Sequence, residues 1–266
     1  MSLIESLLLG LLQGATEFLP VSSSGHLVMA RYLFGIDNIP VFFDILLHLA
    51  TLVAVILIFR RRILAIIISL SRIVRRRKTA DDTINAKLFL LIIAATVCTG
   101  IVGAGLSYLD AELRPRLVSS LFIVTGVILI GTRFMHGSKQ YGQIGIREAT
   151  IAGLAQGIGV LPGISRSGIT IAAALGTGVD REKAGEFSFL IAIPAIVGAA
   201  FLDFSQTGEL MDVVSPMSLA VGMAAAFISG LLCLILLIRL IKNGKFYLFS
   251  IYLIPLGVVL LIWGPK

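Results

Sequence analysis

The chain has 266 residues, of which 57% are hydrophobic and only 14% charged, and its mean hydropathy is +1.00. So little charge cannot cover a soluble domain of this length, and several apolar runs reach the roughly 20 residues that cross a hydrocarbon core of about 30 Å. The net charge of +7 gathers in a few loops between those runs, as topology signals do, which excludes a nucleic-acid partner and makes membrane lipids the surroundings.

The start, Met1-Ser2-Leu3-Ile4-Glu5, lacks a basic stretch and a clear cleavage site, so no removable signal peptide is expected. An apolar stretch over roughly 2–34 is interrupted by Leu19-Pro20-Val21-Ser22-Ser23-Ser24-Gly25. Proline removes a backbone donor and glycine loosens a helix, so two half-helices should meet there as a re-entrant hairpin. Full spans are expected at roughly 39–59, 86–106 and 116–135. A second interrupted stretch covers roughly 147–178, with Leu161-Pro162-Gly163-Ile164-Ser165-Arg166-Ser167-Gly168 at its middle, and further spans lie near 183–203, 216–238 and 246–264. Cys98 and Cys233 fall inside spans and read as reduced core residues. No polar linker divides the chain, so one transmembrane domain over 1–266 is expected.

The two interrupted stretches align at a constant offset of 143 positions, which superposes Gly10 on Gly153, Leu11 on Leu154, Gln13 on Gln156, Gly14 on Gly157, Ser22 on Ser165, Ser24 on Ser167 and Gly25 on Gly168. This is an internal duplication, with repeat 1 over about 1–140 and repeat 2 over about 141–266. The loop 60–87 holds Arg60, Arg61, Arg62, Arg72, Arg75, Arg76, Arg77, Lys78 and Lys87 and is expected to be cytoplasmic. The cluster also suits contact with anionic lipids. Alternating sides from there adds Arg133, Lys139, Arg147, Arg181, Lys183, Arg239, Lys242 and Lys245, which makes 17 of the 22 basic residues on one side. The opposite loops hold Arg114 and Arg116, or Asp203, Glu209 and Asp212, and both termini fall outside. Three spans separate the hairpins, an odd number, so the second copy is inverted. The expected fold is an all-α polytopic membrane protein of inverted-topology repeats, each a re-entrant helix hairpin plus three transmembrane helices. Such folds bind anions near the midplane, and the architecture alone also suits a transporter or flippase of an anionic lipid.

Polar residues concentrate at the two elbows. Gln13 and Glu17 share one helix face before Pro20; Ser22, Ser23, Ser24, Gly25 and His26 follow it. The other elbow offers Ser165, Arg166, Ser167, Gly168 and, one turn on, Thr170. Two half-helix N-termini with free N–H groups would cradle a phosphate, and the Arg166 fork can hold two of its oxygens. Ser23 could attack phosphorus if a neighbour took its proton. His26, three residues on, is within reach on the same helical face, while Glu17 could orient His26, act as the base itself, or hold a divalent ion. Helix capping by the serines and a buried Glu17–Arg166 ion pair are the purely structural alternatives.

Gln13-Gly14-Ala15-Thr16-Glu17-Phe18-Leu19-Pro20-Val21-Ser22-Ser23-Ser24-Gly25-His26 and Pro162-Gly163-Ile164-Ser165-Arg166-Ser167-Gly168-Ile169-Thr170 resemble the two signature motifs of the undecaprenyl-diphosphate phosphatase family (UppP/BacA type), and Glu186-Phe187-Ser188-Phe189-Leu190 extends the similarity. The resemblance implies a plasma-membrane enzyme that hydrolyses a polyprenyl diphosphate lipid to the monophosphate on the outer side, recycling the carrier of cell-wall synthesis with the help of Mg²⁺ or Ca²⁺. By position, Glu17, Ser23, His26 and Arg166 match the family's essential residues, with Ser23 the favoured nucleophile over His26 and Glu17 the metal candidate. Gln13, Ser22, Ser24, Gly25, Ser165, Ser167, Gly168 and Thr170 would bind substrate. Some members carry glutamate where this chain has Gln13, so a mechanism needing two acidic groups there does not transfer. A homodimer is compatible with this reading. The phosphatidic-acid phosphatase superfamily needs a histidine after its Ser-Arg element, and none follows His136. His136 reads as solvated, Asp44 and His48, four apart on the first full span, as a pairing couple or as residues that approach the site, and Glu186 as either site or scaffold.

Overall fold

Ten α-helices make up the described residues, which in this computed structural model are 1–35, 41–77, 79–109, 114–202 and 214–264. Six follow the hydropathy and are long and apolar enough to cross a bilayer: α3 (Val41–Val74), α4 (Ala80–Ser107), α5 (Pro115–Gly131), α8 (Arg181–Leu202), α9 (Pro216–Lys242) and α10 (Ser250–Trp263). Short 3-10 turns, Thr132–Phe134 and Phe246–Phe249, lengthen α5 and α10. The other four are short: α1 (Leu3–Phe18), α2 (Ser23–Phe34), α6 (Ile146–Ile158) and α7 (Arg166–Gly176). Ser2 and Glu5 start α1 with a reciprocal capping box, and Thr79 and Asp82 do the same for α4.

The expected basic loop over 60–87 is largely helical. α3 runs on to Val74 with Arg60, Arg61, Arg62 and Arg72 on it, and α4, from Ala80, includes Lys87. Arginine is a good helix former, so a span need not end where its apolar face ends. The chain turns at Arg75 and Arg76 instead, where Arg76 adopts a left-handed φ of 56° and Arg77 N–H bonds the Arg72 carbonyl at 2.9 Å. Lys78, Asp203, Glu209 and Asp212 lie outside the described residues.

Helix packing is reciprocal between the two halves. α1 packs along α9, the fourth helix of the second half, and α6 packs along α4, the fourth helix of the first. Glycines at the same offset make both contacts. A methyl on Gly10 would lie 2.2 Å from the Gly222 carbonyl oxygen, and one on Gly153 would lie 2.4 Å from that of Ala95. Gly14 and Gly157, four residues on, are equally tight against Ala226 and Val102. Small residues four apart let backbones approach where lipid supplies no hydrophobic drive. Gly153→Ala is therefore expected to cost about 1–3 kcal/mol through overpacking, read as a lower detergent unfolding temperature. Gly100→Ala, whose added methyl meets nothing within 4 Å, is expected to leave that temperature unchanged or raise it.

Candidate functional site

Pro20 ends α1, and the chain re-enters helix at Ser22, whose φ of 70° is unusual for a residue with a side chain. The conformation persists because Ser22 is tied down several times over. Its hydroxyl accepts N–H bonds from Gly163 at 2.9 Å and from Gly25 at 3.4 Å, and its carbonyl accepts from the His26 N–H at 3.2 Å. Gly163 belongs to the other elbow and takes φ 96°, a value that favours glycine. Its carbonyl accepts from Thr125 Oγ1 at 2.8 Å, and the same hydroxyl accepts from the Ser165 N–H at 3.2 Å. Ser167 Oγ donates back to the Phe18 carbonyl at 3.0 Å. A methyl on Gly25 would lie 2.7 Å from Gly163 N. The two elbows touch.

Both following helices therefore begin at one place. The first intrahelical bonds are His26 N–H to the Ser22 carbonyl in α2 and Ile169 N–H to the Ser165 carbonyl in α7, so the N–H groups of Ser23, Ser24, Arg166 and Ser167 lie ahead of the ladders. Ser22 and Ser165 cap them through Gly25 and Gly168, 143 positions apart.

Glu17 is the hub. Arg166 Nη2 donates to its Oε1. Ser23 Oγ donates to Oε2 at 2.6 Å, Gln13 Nε2 donates to the same oxygen at 2.9 Å, and His48 Nε2 lies 3.3 Å from it. The carboxylate is 3% exposed and the Arg166 side chain 24%. Ser23 thus already hands its proton toward a buried carboxylate, the geometry of an activated nucleophile.

His26 does not act on Ser23 here, contrary to what its three-residue spacing suggests. Its Nδ1 lies 2.8 Å from the Ser22 carbonyl, which can only accept, so Nδ1 carries the proton. Nε2 then accepts from the Tyr252 hydroxyl at 2.8 Å, with the two rings stacked. Glu17 accordingly bonds Ser23 and not the histidine. Thr170 back-bonds to the Arg166 carbonyl at 2.7 Å, and Ser24 is half-buried in the first turn of α2. Glu186 accepts from Arg62 Nε at 2.7 Å and lies 3.7 Å from Lys183 Nζ. The Asp44 carboxylate pairs with Arg31 at 2.5 Å, while His48 bonds the Asp44 carbonyl through Nδ1 at 2.8 Å and approaches the site with Nε2 facing Glu17. Tyr252 and Thr125 carry no motif, and only the fold reveals them.

Glu17, Arg166, Ser167 and Gln156 border a cavity of about 10 Å³, room for about one water. The residues suit a cation carried in by substrate better than one held permanently. Among the described residues no three His, Cys, Asp or Glu side chains form a metal-holding group. The Gln13 Oε1 atom, however, is buried with no hydrogen-bond partner, beside Glu17. One carboxylate and one amide oxygen match Mg²⁺ bound largely through substrate phosphates and water.

Comparison with known proteins agrees with these elements. The family model described as "Bacitracin resistance protein BacA" matches residues 6–259. A protein of Treponema denticola named undecaprenyl-diphosphatase is 47% identical over 99% of both chains. Proteins of the same name from Desulforapulum autotrophicum, at 42% over 99% of both chains, and Carboxydothermus hydrogenoformans, at 41% over 98% of this chain and 97% of its own, are similar along their whole length. With its two touching elbows covered in full by that match, this chain belongs to the bacitracin resistance protein BacA family.

Proposed function

We propose that the chain hydrolyses undecaprenyl diphosphate to the monophosphate and inorganic phosphate, in the plasma membrane, at the junction of the two elbows. The carrying observation is the 2.6 Å hydrogen bond from Ser23 Oγ to Glu17 Oε2 beside Arg166. Arg166 moves from Glu17 to the terminal phosphate, whose oxygens take up the N–H groups at the starts of α2 and α7. Ser23 Oγ attacks that phosphorus in line, Glu17 takes its proton, and the polyprenyl monophosphate leaves with the bridging oxygen. Water then cleaves the phosphoserine, and Ser23 recovers its proton. Gln13 and Glu17 would hold Mg²⁺ or Ca²⁺, whose contribution is to neutralise diphosphate charge. Relatives named as diphosphatases weigh against a pure transporter.

The same reading covers the architecture. The longest of the four short helices, 16 residues, reaches about 24 Å at 1.5 Å per residue, short of a hydrocarbon core of about 30 Å. Each pair is then a re-entrant hairpin, and α3, α4 and α5 between the pairs invert the second copy. The reciprocal packing of α1 with α9 and α6 with α4 supports this duplication. With the basic end of α3 cytoplasmic, both termini lie outside. Purified protein with Mg²⁺ is expected to release inorganic phosphate across a panel of isoprenoid diphosphates, undecaprenyl diphosphate included. No release from any of them would overturn the reading, and turnover unchanged by EDTA would remove the cation from it.

A further inference from the structure

The cavity beside Glu17 and Arg166 has further polar neighbours that the reaction above leaves unused, Gln156 of α6 and Ser188 of α8, 1% and 3% exposed. The partners of the Gln156 amide fix which way it points. Its Nε2 donates to the Ile191 carbonyl of α8 at 3.2 Å and to Thr99 Oγ1 of α4 at 3.1 Å. A carbonyl only accepts, and the Thr99 hydroxyl already donates to the Ala95 and Gly153 carbonyls, so the nitrogen must lie on that side. Both amide hydrogens are then engaged. Oε1 is left, and among the described residues it has no hydrogen-bond partner. Burying an acceptor without a donor is costly, so one that belongs to the wall of a polar cavity marks a guest that brings a hydrogen.

The chemistry of the guest follows from that wall. A bare amide oxygen repels phosphate oxygens, so Gln156 does not extend the phosphate cradle. The space, about 10 Å³, suits about one water, and Phe18, Phe189 and Ile196 line the rest of it with carbon. Ser167 borders it too, but its hydroxyl already donates to the Phe18 carbonyl at 3.0 Å. A water fits: it gives one hydrogen to Gln156 Oε1 and meets the Ser188 hydroxyl and the Glu17 carboxylate.

We propose that Gln156 and Ser188 hold the water that hydrolyses the phosphoserine, with Gln156 as the positioning residue that turns a water lone pair toward phosphorus. The inference rests on the phosphatase reading above and names the residues that serve its second step. The cavity reaches Glu17 but not Ser23. Ser23 Oγ stands on Glu17 Oε2, whereas Arg166 takes Oε1. Water and serine thus approach the phosphoryl group from different sides, as displacement in line uses. In this step the water oxygen bonds to phosphorus and the bond from phosphorus to Ser23 Oγ breaks. Oγ recovers from Glu17 the proton it gave up during its own attack. Both hydrogens of the water leave on the phosphate, as dihydrogen phosphate, and Glu17 is again a carboxylate.

The test separates the two steps by rapid quenching with undecaprenyl diphosphate, in wild type, Gln156→Met and Ser188→Ala. Methionine keeps the length of glutamine without its acceptor. Phosphoserine is expected to form at the wild-type rate in both variants. Its decay should slow by about 10- to 100-fold in Gln156→Met, up to the loss that misplacing a reacting group by about 1 Å brings, and by less in Ser188→Ala. As decay becomes limiting, kcat and KM fall together and kcat/KM, set by the first step, stays level. A purely structural role would instead slow formation and decay alike, with kcat/KM lowered and no build-up of phosphoserine. Gln156→Met also gives up both Nε2 bonds; should it fail to fold, Ser188→Ala, which keeps them, decides by the same readout. Decay at the wild-type rate in every folded variant would overturn the water assignment alone. A wild type that releases no phosphate, or releases it without holding it on Ser23, would overturn the reading beneath it.

Discussion

Ser23→Ala is expected to lower phosphate release by about 10⁴- to 10⁶-fold, the scale seen when a hydrolase loses its nucleophile, while substrate binding persists. The hydroxyl already donates to a base, through its 2.6 Å contact with the Glu17 carboxylate. Glu17→Gln should follow with a loss of about 10²–10⁴, because an amide cannot take a proton. Rapid quenching of the wild-type reaction separates this chemistry from attack by His26. A serine nucleophile leaves an acid-stable phosphoserine, whereas histidine would leave an acid-labile, base-stable phosphohistidine. The second product would transfer the nucleophile's role to His26 and require its bonds to the Ser22 carbonyl and Tyr252 to break first.

Arg166→Ala is expected to act on two quantities that can be measured apart. Removing a donor to the transferring phosphoryl group costs about 10²–10³ in rate. It also strands the Glu17 carboxylate, 3% exposed, without its cation, and breaking a buried pair in this way costs about 3–5 kcal/mol. The single variant should therefore melt early in detergent as well as turn over slowly. Adding Glu17→Gln removes the stranded charge, so the double variant is expected to recover most of the thermal stability and none of the activity. Arg166→Lys should keep charge balance and stability but remain slow, since an ammonium lacks the planar fork. If Arg166→Ala stayed folded and kept most of its turnover, the guanidinium would be a structural tie and no phosphate clamp.

Much of the frame is legible in the residues because it follows from solvent. Apolar runs of the right length mark the six long helices, and Pro20 and Pro162 mark the two interruptions, since a helix in lipid cannot lose backbone bonds unnoticed. The offset between Gly10 and Gly153 also carried a packing meaning that identity alone did not reveal, the close approach of α1 to α9 and of α6 to α4. Less legible was the arginine-rich end of α3. A cluster of arginines reads as a loop, whereas the helix simply continues through Arg60, Arg61 and Arg62 to Val74.

The elbow motifs determined which polar groups would stand at the site, because short-range rules of capping, breaking and helix-face spacing act within a few residues. What each group would touch was decided by the tertiary structure. His26 and Ser23 are three positions apart, yet the histidine bonds Tyr252, 226 positions away, while Glu17 meets Arg166 across 149 positions and His48 from another helix. Hydrogen bonds and ion pairs reach only a few ångströms, and nothing in local spacing says which distant segments packing will bring within that range.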